Sequence, residues 1–87
     1  MQKVVVIPNK AGLHARPISQ FVETASRFRA RLTVSCNGKE VDGKSILQLM
    51  TLAAAQGHEL ELKSEGDDAE EMLRSLEDLI KSGFHEE

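Results

Sequence analysis

Apolar and polar positions along this chain switch repeatedly between a period of two and a period of about 3.6, and each switch marks an element. Residues 2 to 8 (Gln-Lys-Val-Val-Val-Ile-Pro) read as a strand, and residues 8 to 12 (Pro-Asn-Lys-Ala-Gly) as the loop that follows. Ile18, Phe21, Val22, Ala25 and Phe28 then fall at i, i+3, i+4, i+7 and i+10, the stripe of an amphipathic helix running to about Phe28. Leu32, Val34 and Cys36 alternate with Thr33 and Ser35, so residues 31 to 36 form a strand. Asn37-Gly38 joins it to a short partner at 39 to 42, since both residues tolerate the positive φ of a type I′ turn, and Asp42-Gly43 closes that partner. A second helix begins after Ser45 and continues to about Ala55, stopped by Gly57, with Ile46, Leu49, Met50 and Ala53 as its inward stripe. Residues 59 to 65 alternate Leu60 and Leu62 with Glu and Lys as a last strand. Asp67 and Glu70 have capping-box spacing ahead of a third helix, whose stripe is Ala69, Met72, Leu73, Leu76, Leu79 and Ile80 and whose stop is Ser82-Gly83. Glu86-Glu87 reads as a loose tail.

The order is βαββαβα. Each helix has one apolar face, so the economical arrangement is an α+β open-faced two-layer sandwich: one four-stranded antiparallel sheet, three helices on one face, solvent on the other. The patterns leave strand order open. With 87 residues and 40% apolar content, residues 1 to 87 make a single domain that closes one small core. The lone Cys36 sits on the apolar side of its strand and reads as a small buried hydrophobe. No stretch has the length and apolarity of a signal peptide or membrane span, which makes the cytoplasm the expected compartment and membrane insertion unexpected.

Charge narrows the partners. A net charge of −3 and the absence of Tyr and Trp argue against nucleic acid. The distribution is uneven, however: residues 10 to 31 carry Lys10, Arg16, Arg27, Arg29 and Arg31 against Glu23 alone, while most of the acid lies after residue 58. The basic half suits an anionic donor or an acidic partner surface.

Within that half lies Gly12-Leu13-His14-Ala15-Arg16-Pro17. Pro17 falls in the first helical turn, where a missing N–H costs little. His14 is then at or near the N-cap, with the N–H groups of Ala15 and Arg16 pointing outward beside the imidazole at the positive end of the helix dipole. A ring nitrogen supplies a nucleophilic lone pair, and Arg16 supplies permanently charged, fork-shaped donors. A helix-start histidine often does no more than cap, but this grouping suits a phosphoryl group. Hydrolysis would need a residue to position water, and none accompanies His14; a carrier needs none.

Ser45 occupies the expected N-cap of the second helix. Capping is the commonest use of such a serine, and a phosphate there is also electrostatically tolerated, so the two roles coexist. Leu47, Thr51 and Ala54 would face outward from that helix, near both helix starts, as a docking patch. His58 and His85 lack a flanking arginine at a helix start, no His, Cys or acidic cluster has metal-ligand spacing, and nothing calls for a cofactor.

The hexapeptide, together with Asn37-Gly38-Lys39 and Lys44-Ser45-Ile46-Leu47-Gln48-Leu49-Met50, resembles the two signatures of the HPr family, the histidine-containing phosphocarriers of the bacterial phosphoenolpyruvate-dependent phosphotransferase system. The resemblance runs over nearly the whole chain. It implies strand order 1-4-2-3, phosphate accepted by His14 from phosphorylated enzyme I, and delivery to a sugar-permease component or other acceptor protein. It also implies a monomer that is a substrate and not an enzyme, with Ser45 the target of an HPr kinase. Ile18 stands where the family usually has a small residue, and Asp42-Gly43 is not its commonest spelling before Lys44-Ser45. The closing Ser82-Gly83-Phe84 and acidic tail are similar to the nitrogen-branch paralogue, so the alternative is a regulator that controls partner proteins through its phosphorylation state.

Overall fold

The computed structural model describes residues 1–85, which leaves the expected Glu86-Glu87 tail outside the described residues. Strand β1 (Gln2–Val6) leads to helix α1 (Ala15–Ala25), the hairpin β2 (Arg31–Cys36) and β3 (Lys39–Asp42), helix α2 (Ile46–Met50), strand β4 (Glu59–Glu65) and helix α3 (Ala69–Lys81). The strands form one antiparallel sheet in the order β1-β4-β2-β3. This is the expected α+β sandwich, with the strand order that the family resemblance implied.

Register follows the period-two pattern. Val5 faces Leu60, Leu62 faces Val34, and Val34 faces Val41, so one side of the sheet presents a continuous apolar surface. Phe21 of α1, Leu49 of α2 and Met72, Leu76 and Ile80 of α3 cover it and are fully buried. The other side is solvated, with polar contacts beside the exposed Val4 and Val6: Gln2 Nε2 donates to Glu61 Oε2 at 2.9 Å, and Lys63 lies 3.4 Å from Glu61. Asn37 (φ 53°) and Gly38 (φ 82°) make the expected hairpin turn. Cys36 is buried, and that burial pushes its thiol pKa up.

Four boundaries depart from the sequence expectation, each for an identifiable reason. The first strand stops at Val6 instead of Pro8, although Ile7 N–H still donates to His58 O at 3.0 Å. Helix α1 ends at Ala25 instead of Phe28; Arg27 N–H reaches Thr24 O (3.2 Å) and Phe28 N–H reaches Ala25 O (3.1 Å), a tightened final turn. The next two amides, of Arg29 and Ala30, donate to the Asp68 carboxylate, each at 2.9 Å, which turns the chain into β2. That use of Asp68 displaces the expected capping box: Asp68, not Asp67, is the N-cap of α3, and its carboxylate leaves the helix uncapped to hold the α1–β2 turn. Helix α2 stops at Met50 instead of about Ala55, because Leu52 N–H bonds back to Leu49 O and Ala53 adopts φ 50°.

The chain closes with a 3₁₀ turn, Gly83–His85, that inserts Phe84 fully into the core. The apolar periodicity ends at Ile80 and gave no sign of this residue. Phe84 accepts a left-handed backbone (φ 57°) to reach its place, a strain that burial of a whole aromatic ring offsets.

Candidate functional site

The loop that presents His14 is built on close backbone approach. Asn9 Nδ2 donates to Gly12 O at 2.9 Å and Gly12 N–H to Asn9 O at 3.1 Å, folding residues 9 to 12 into a compact turn. Leu13 N–H then donates to Ala54 O at 2.9 Å, so the loop rests on the segment that follows α2. Gly12 has φ 70°, and a Cβ there would stand 2.7 Å from Ala54 O and 2.9 Å from Ala55 Cα. Glycine is therefore required twice over, for the left-handed backbone and for the space.

His14 is the N-cap of α1, with extended backbone (φ −94°, ψ −172°) and an exposed side chain. Its carbonyl accepts Ile18 N–H at 3.0 Å, whereas its ring makes no capping bond to the helix. Ala15 and Arg16 occupy the first two helical positions and are exposed; their amides precede the first intrahelical donor. Pro17, the third position, has no N–H and is buried, as is Ile18 at 1% exposure. Arg16 makes no ion pair among the described residues, so its guanidinium is open to an anion. An exposed imidazole, two outward amides and one uncommitted guanidinium sit within three residues at a positive helix end, a geometry fitted to dianionic oxygen atoms.

Ser45 caps α2, its Oγ accepting Gln48 N–H at 3.2 Å. The start of this helix is fixed on two further sides: Gln48 Oε1 accepts Asp42 N–H at 2.9 Å, and Lys44 Nζ donates to Phe28 O at 2.7 Å. Ser45 remains half-buried.

The outward face of α2 differs from the expected one. Leu47 is exposed at 79%, and Thr51 is exposed, as the sequence suggested. Ala54 is instead buried, because its carbonyl is the seat of the His14 loop. Ile46 and Met50, assigned to the inward stripe, are exposed at 43% and 52%, and Ala53 is exposed too. A helix of five residues presents little more than one turn, so a single side chain, Leu49, suffices to anchor it, with Leu52 buried just beyond. Ile46, Leu47 and Met50 thereby form a contiguous apolar surface on the helix, which packs beside α1. The signal for Ile46 and Met50 lay in the chain reversal after Met50, which periodicity alone does not reveal.

Of the other histidines, His58 is half-buried in the turn before β4, and His85 is exposed. Among the described residues no group of three His, Cys, Asp or Glu could hold a metal ion, and no helix is long and apolar enough to cross a membrane.

Comparison with known proteins agrees with this geometry. The family model described as "PTS HPr component phosphorylation site" matches residues 1–82. The chain is 45% identical over 86 residues to the phosphocarrier protein HPr of Neisseria meningitidis serogroup A, covering 99% of this chain and 97% of that one. Among solved structures, HPr-C-His of Thermoanaerobacter tengcongensis superposes with a TM-score of 0.95 at 46% identity, covering 100% of this chain and 98% of that chain. An HPr dimer from the same organism gives a TM-score of 0.80 at 48% identity over 94% of each chain. The open-faced sandwich, the exposed histidine at its helix start and the family match over residues 1–82 lead to one conclusion: this chain belongs to the HPr family of phosphocarriers of the phosphotransferase system.

Proposed function

We propose that His14 is the phosphoryl acceptor, charged on Nδ1 by phosphorylated enzyme I and discharged to a sugar-permease component or another acceptor protein. The bond between phosphorus and the donor breaks as the N–P bond to His14 forms, and the ring keeps its proton on the other nitrogen. Arg16 and the amides of Ala15 and Arg16 take up the phosphoryl oxygens. The observation that carries this reading is the placement of an exposed His14 ring at the N-cap of α1, directly before the exposed Ala15 and Arg16. The helix end contributes roughly 0.3–1 kcal/mol toward a nearby anion. A guanidinium hydrogen bond to phosphate adds about 1.5–3 kcal/mol. Those sums stabilise a carried phosphoryl group without trapping it, which suits relay and not storage. The protein acts as a carrier in the cytoplasm, as a monomer, with enzyme I and the acceptors docking on Ile46, Leu47, Met50 and Thr51.

Ser45 is the regulatory site, modified by an HPr kinase. A phosphate on its Oγ would stand at the border of the apolar docking surface, and its charge would have to be desolvated by any partner that covers Leu47. The direct test mixes purified protein with phosphoenolpyruvate and enzyme I and follows intact mass before and after acid treatment. One acid-labile phosphoryl group, absent in His14→Ala, is the expected result; full gain in His14→Ala would sink the assignment.

A further inference from the structure

His58 belongs to none of the roles above, yet its ring is more firmly engaged than an incidental turn residue needs. The chain reverses between Ala53 (φ 50°) and Gly57 (φ 88°), and His58 closes that reversal from both sides. Its backbone N–H donates to Ala55 O at 3.0 Å, and its Nδ1 accepts the Ala55 N–H at 3.0 Å, so both polar groups of Ala55 are bound by one residue. Asn37 Nδ2, from the β2–β3 turn, lies 3.3 Å from the same Nδ1. The backbone around the ring is held by Ile7: Gly57 N–H donates to Ile7 O at 2.8 Å and Ile7 N–H to His58 O at 3.0 Å. A backbone amide can only donate, so the neutral ring carries its proton on Nε2 and offers the Nδ1 lone pair inward.

The opposite side of this segment is the seat of the phosphoryl site. Ala54 O accepts Leu13 N–H at 2.9 Å, and the backbone of Ala54 and Ala55 stands where a Gly12 side chain would be. Leu13 directly precedes His14. A displacement of Ala55 therefore reaches His14 through one hydrogen bond and one backbone contact, with no flexible side chain between to absorb it.

We propose that His58 is a positioning residue for His14: its Nδ1 fixes the Ala54–Ala55 backbone, and that backbone sets the height and angle at which His14 meets a phosphoryl donor. The proposal rests on His14 being the acceptor. In-line transfer is sensitive to placement at the level of an ångström, so a seat fixed on both faces has a direct kinetic consequence. Asparagine places a side-chain oxygen near the position of the imidazole Nδ1, whereas alanine leaves the Ala55 amide without an acceptor.

The test compares wild type, His58→Ala and His58→Asn by nitrogen NMR of the rings, amide hydrogen exchange, and the steady-state rate of phosphorylation by enzyme I with phosphoenolpyruvate. Wild-type His58 should show the Nε2–H tautomer, a result that requires no variant to fold. His58→Ala should speed exchange at both Ala55 and Leu13 roughly three- to tenfold, the scale of one lost hydrogen bond. It should lower kcat by a similar factor with KM for enzyme I unchanged, and His58→Asn should restore exchange and kcat together. An Nδ1–H tautomer, an unchanged Leu13 exchange rate and kcat in His58→Ala, or equal impairment in the Asn and Ala variants would each overturn the proposal. Failure of wild type to gain phosphate from active enzyme I would overturn the carrier assignment itself, and this proposal with it. Normal wild type beside an indifferent His58→Ala overturns the positioning role alone.

Discussion

Replacing Gly12 with alanine isolates the energy of seating the His14 loop, because two separable costs meet at one added methyl group. The first is conformational: at φ 70° an L-residue sits in the left-handed region, at a cost of roughly 1–2 kcal/mol. The second is steric. The new Cβ would lie 2.7 Å from Ala54 O and 2.9 Å from Ala55 Cα, and both are backbone atoms that no rotamer change can move aside. Relief demands that the loop lift by several tenths of an ångström, which stretches the Leu13–Ala54 hydrogen bond, and overpacking of this kind costs about 1–3 kcal/mol. The total is roughly 2–5 kcal/mol, against about 1–2 kcal/mol for strain alone. Gly38→Ala provides the control, since Gly38 also has positive φ (82°) but no atom lies within 4 Å of the Cβ it would acquire. At about 4–8 °C per kcal/mol for a domain of this size, Gly12→Ala should lower Tm by roughly 8–40 °C and Gly38→Ala by roughly 4–16 °C, less than Gly12→Ala in the same protein. Circular dichroism melts and urea titrations of the two variants measure the difference. Equal losses in both would mean that the loop is not seated on residues 54 and 55, and would remove the structural basis for fixing His14 there.

Phe84→Ala empties a fully buried ring site at the end of α3 and should cost about 3–5 kcal/mol in urea titrations. Ser45→Ala removes the N-terminal side-chain cap of α2 and should cost about 1 kcal/mol, while Ser45→Asp, competent to cap, should keep that stability and slow phosphorylation of His14 through weaker docking; equal rates for Ser45→Asp and wild type would contradict the regulatory role. Acid stability has a definite sign. Asp68 is held below the usual carboxylate range chiefly by the Arg29 amide, and Glu77 chiefly by its hydrogen bond with Lys3. A carboxyl depressed in the folded state contributes fully above its unfolded pKa, near 4, and loses that contribution as pH falls through the folded value. Urea midpoints should therefore be insensitive to these two groups between pH 5 and 7 (about neutral) and decline below roughly pH 4, less steeply in Asp68→Asn and Glu77→Gln. A slope unchanged in both variants would refute the linkage.

The sheet and the placement of His14 at a helix start are legible because their determinants are local. Alternation marks β2 and β4, Asn37-Gly38 marks the hairpin, and Pro17 fixes where α1 begins, so the position of His14 at the helix start follows from neighbours in sequence. What escaped depends on partners far along the chain. Asp67 is the expected cap of α3, but its neighbour Asp68 takes that position, with a carboxylate that serves amides 38 and 39 positions earlier. Ala54 was assigned to an outward face by a helical period that stops four residues before it, and Ile46 and Met50 were assigned inward by the same period. Phe84 reaches the core through a positive φ at Gly83 and another at Phe84 itself, a path without periodicity to announce it. His58 gave no signal because its partner atoms, the amides of Ala55 and Asn37, become neighbours of one nitrogen only in the folded chain.

The strand order β1-β4-β2-β3 also governs how the molecule comes together. β1 has a single neighbour, β4, with Gln2 opposite Lys63, so the first strand made is paired only when the last strand has arrived. The β2–β3 hairpin closes locally, but the two halves of the sheet stay separate until β4 slides between them and bonds to both at once. Loop-closure entropy for that step must be met before its contacts form, which places β4 insertion late in folding and concentrates cooperativity in one strand. During synthesis, the His14 loop accordingly emerges long before its seat at Ala54, and it takes its final place only once that segment has followed.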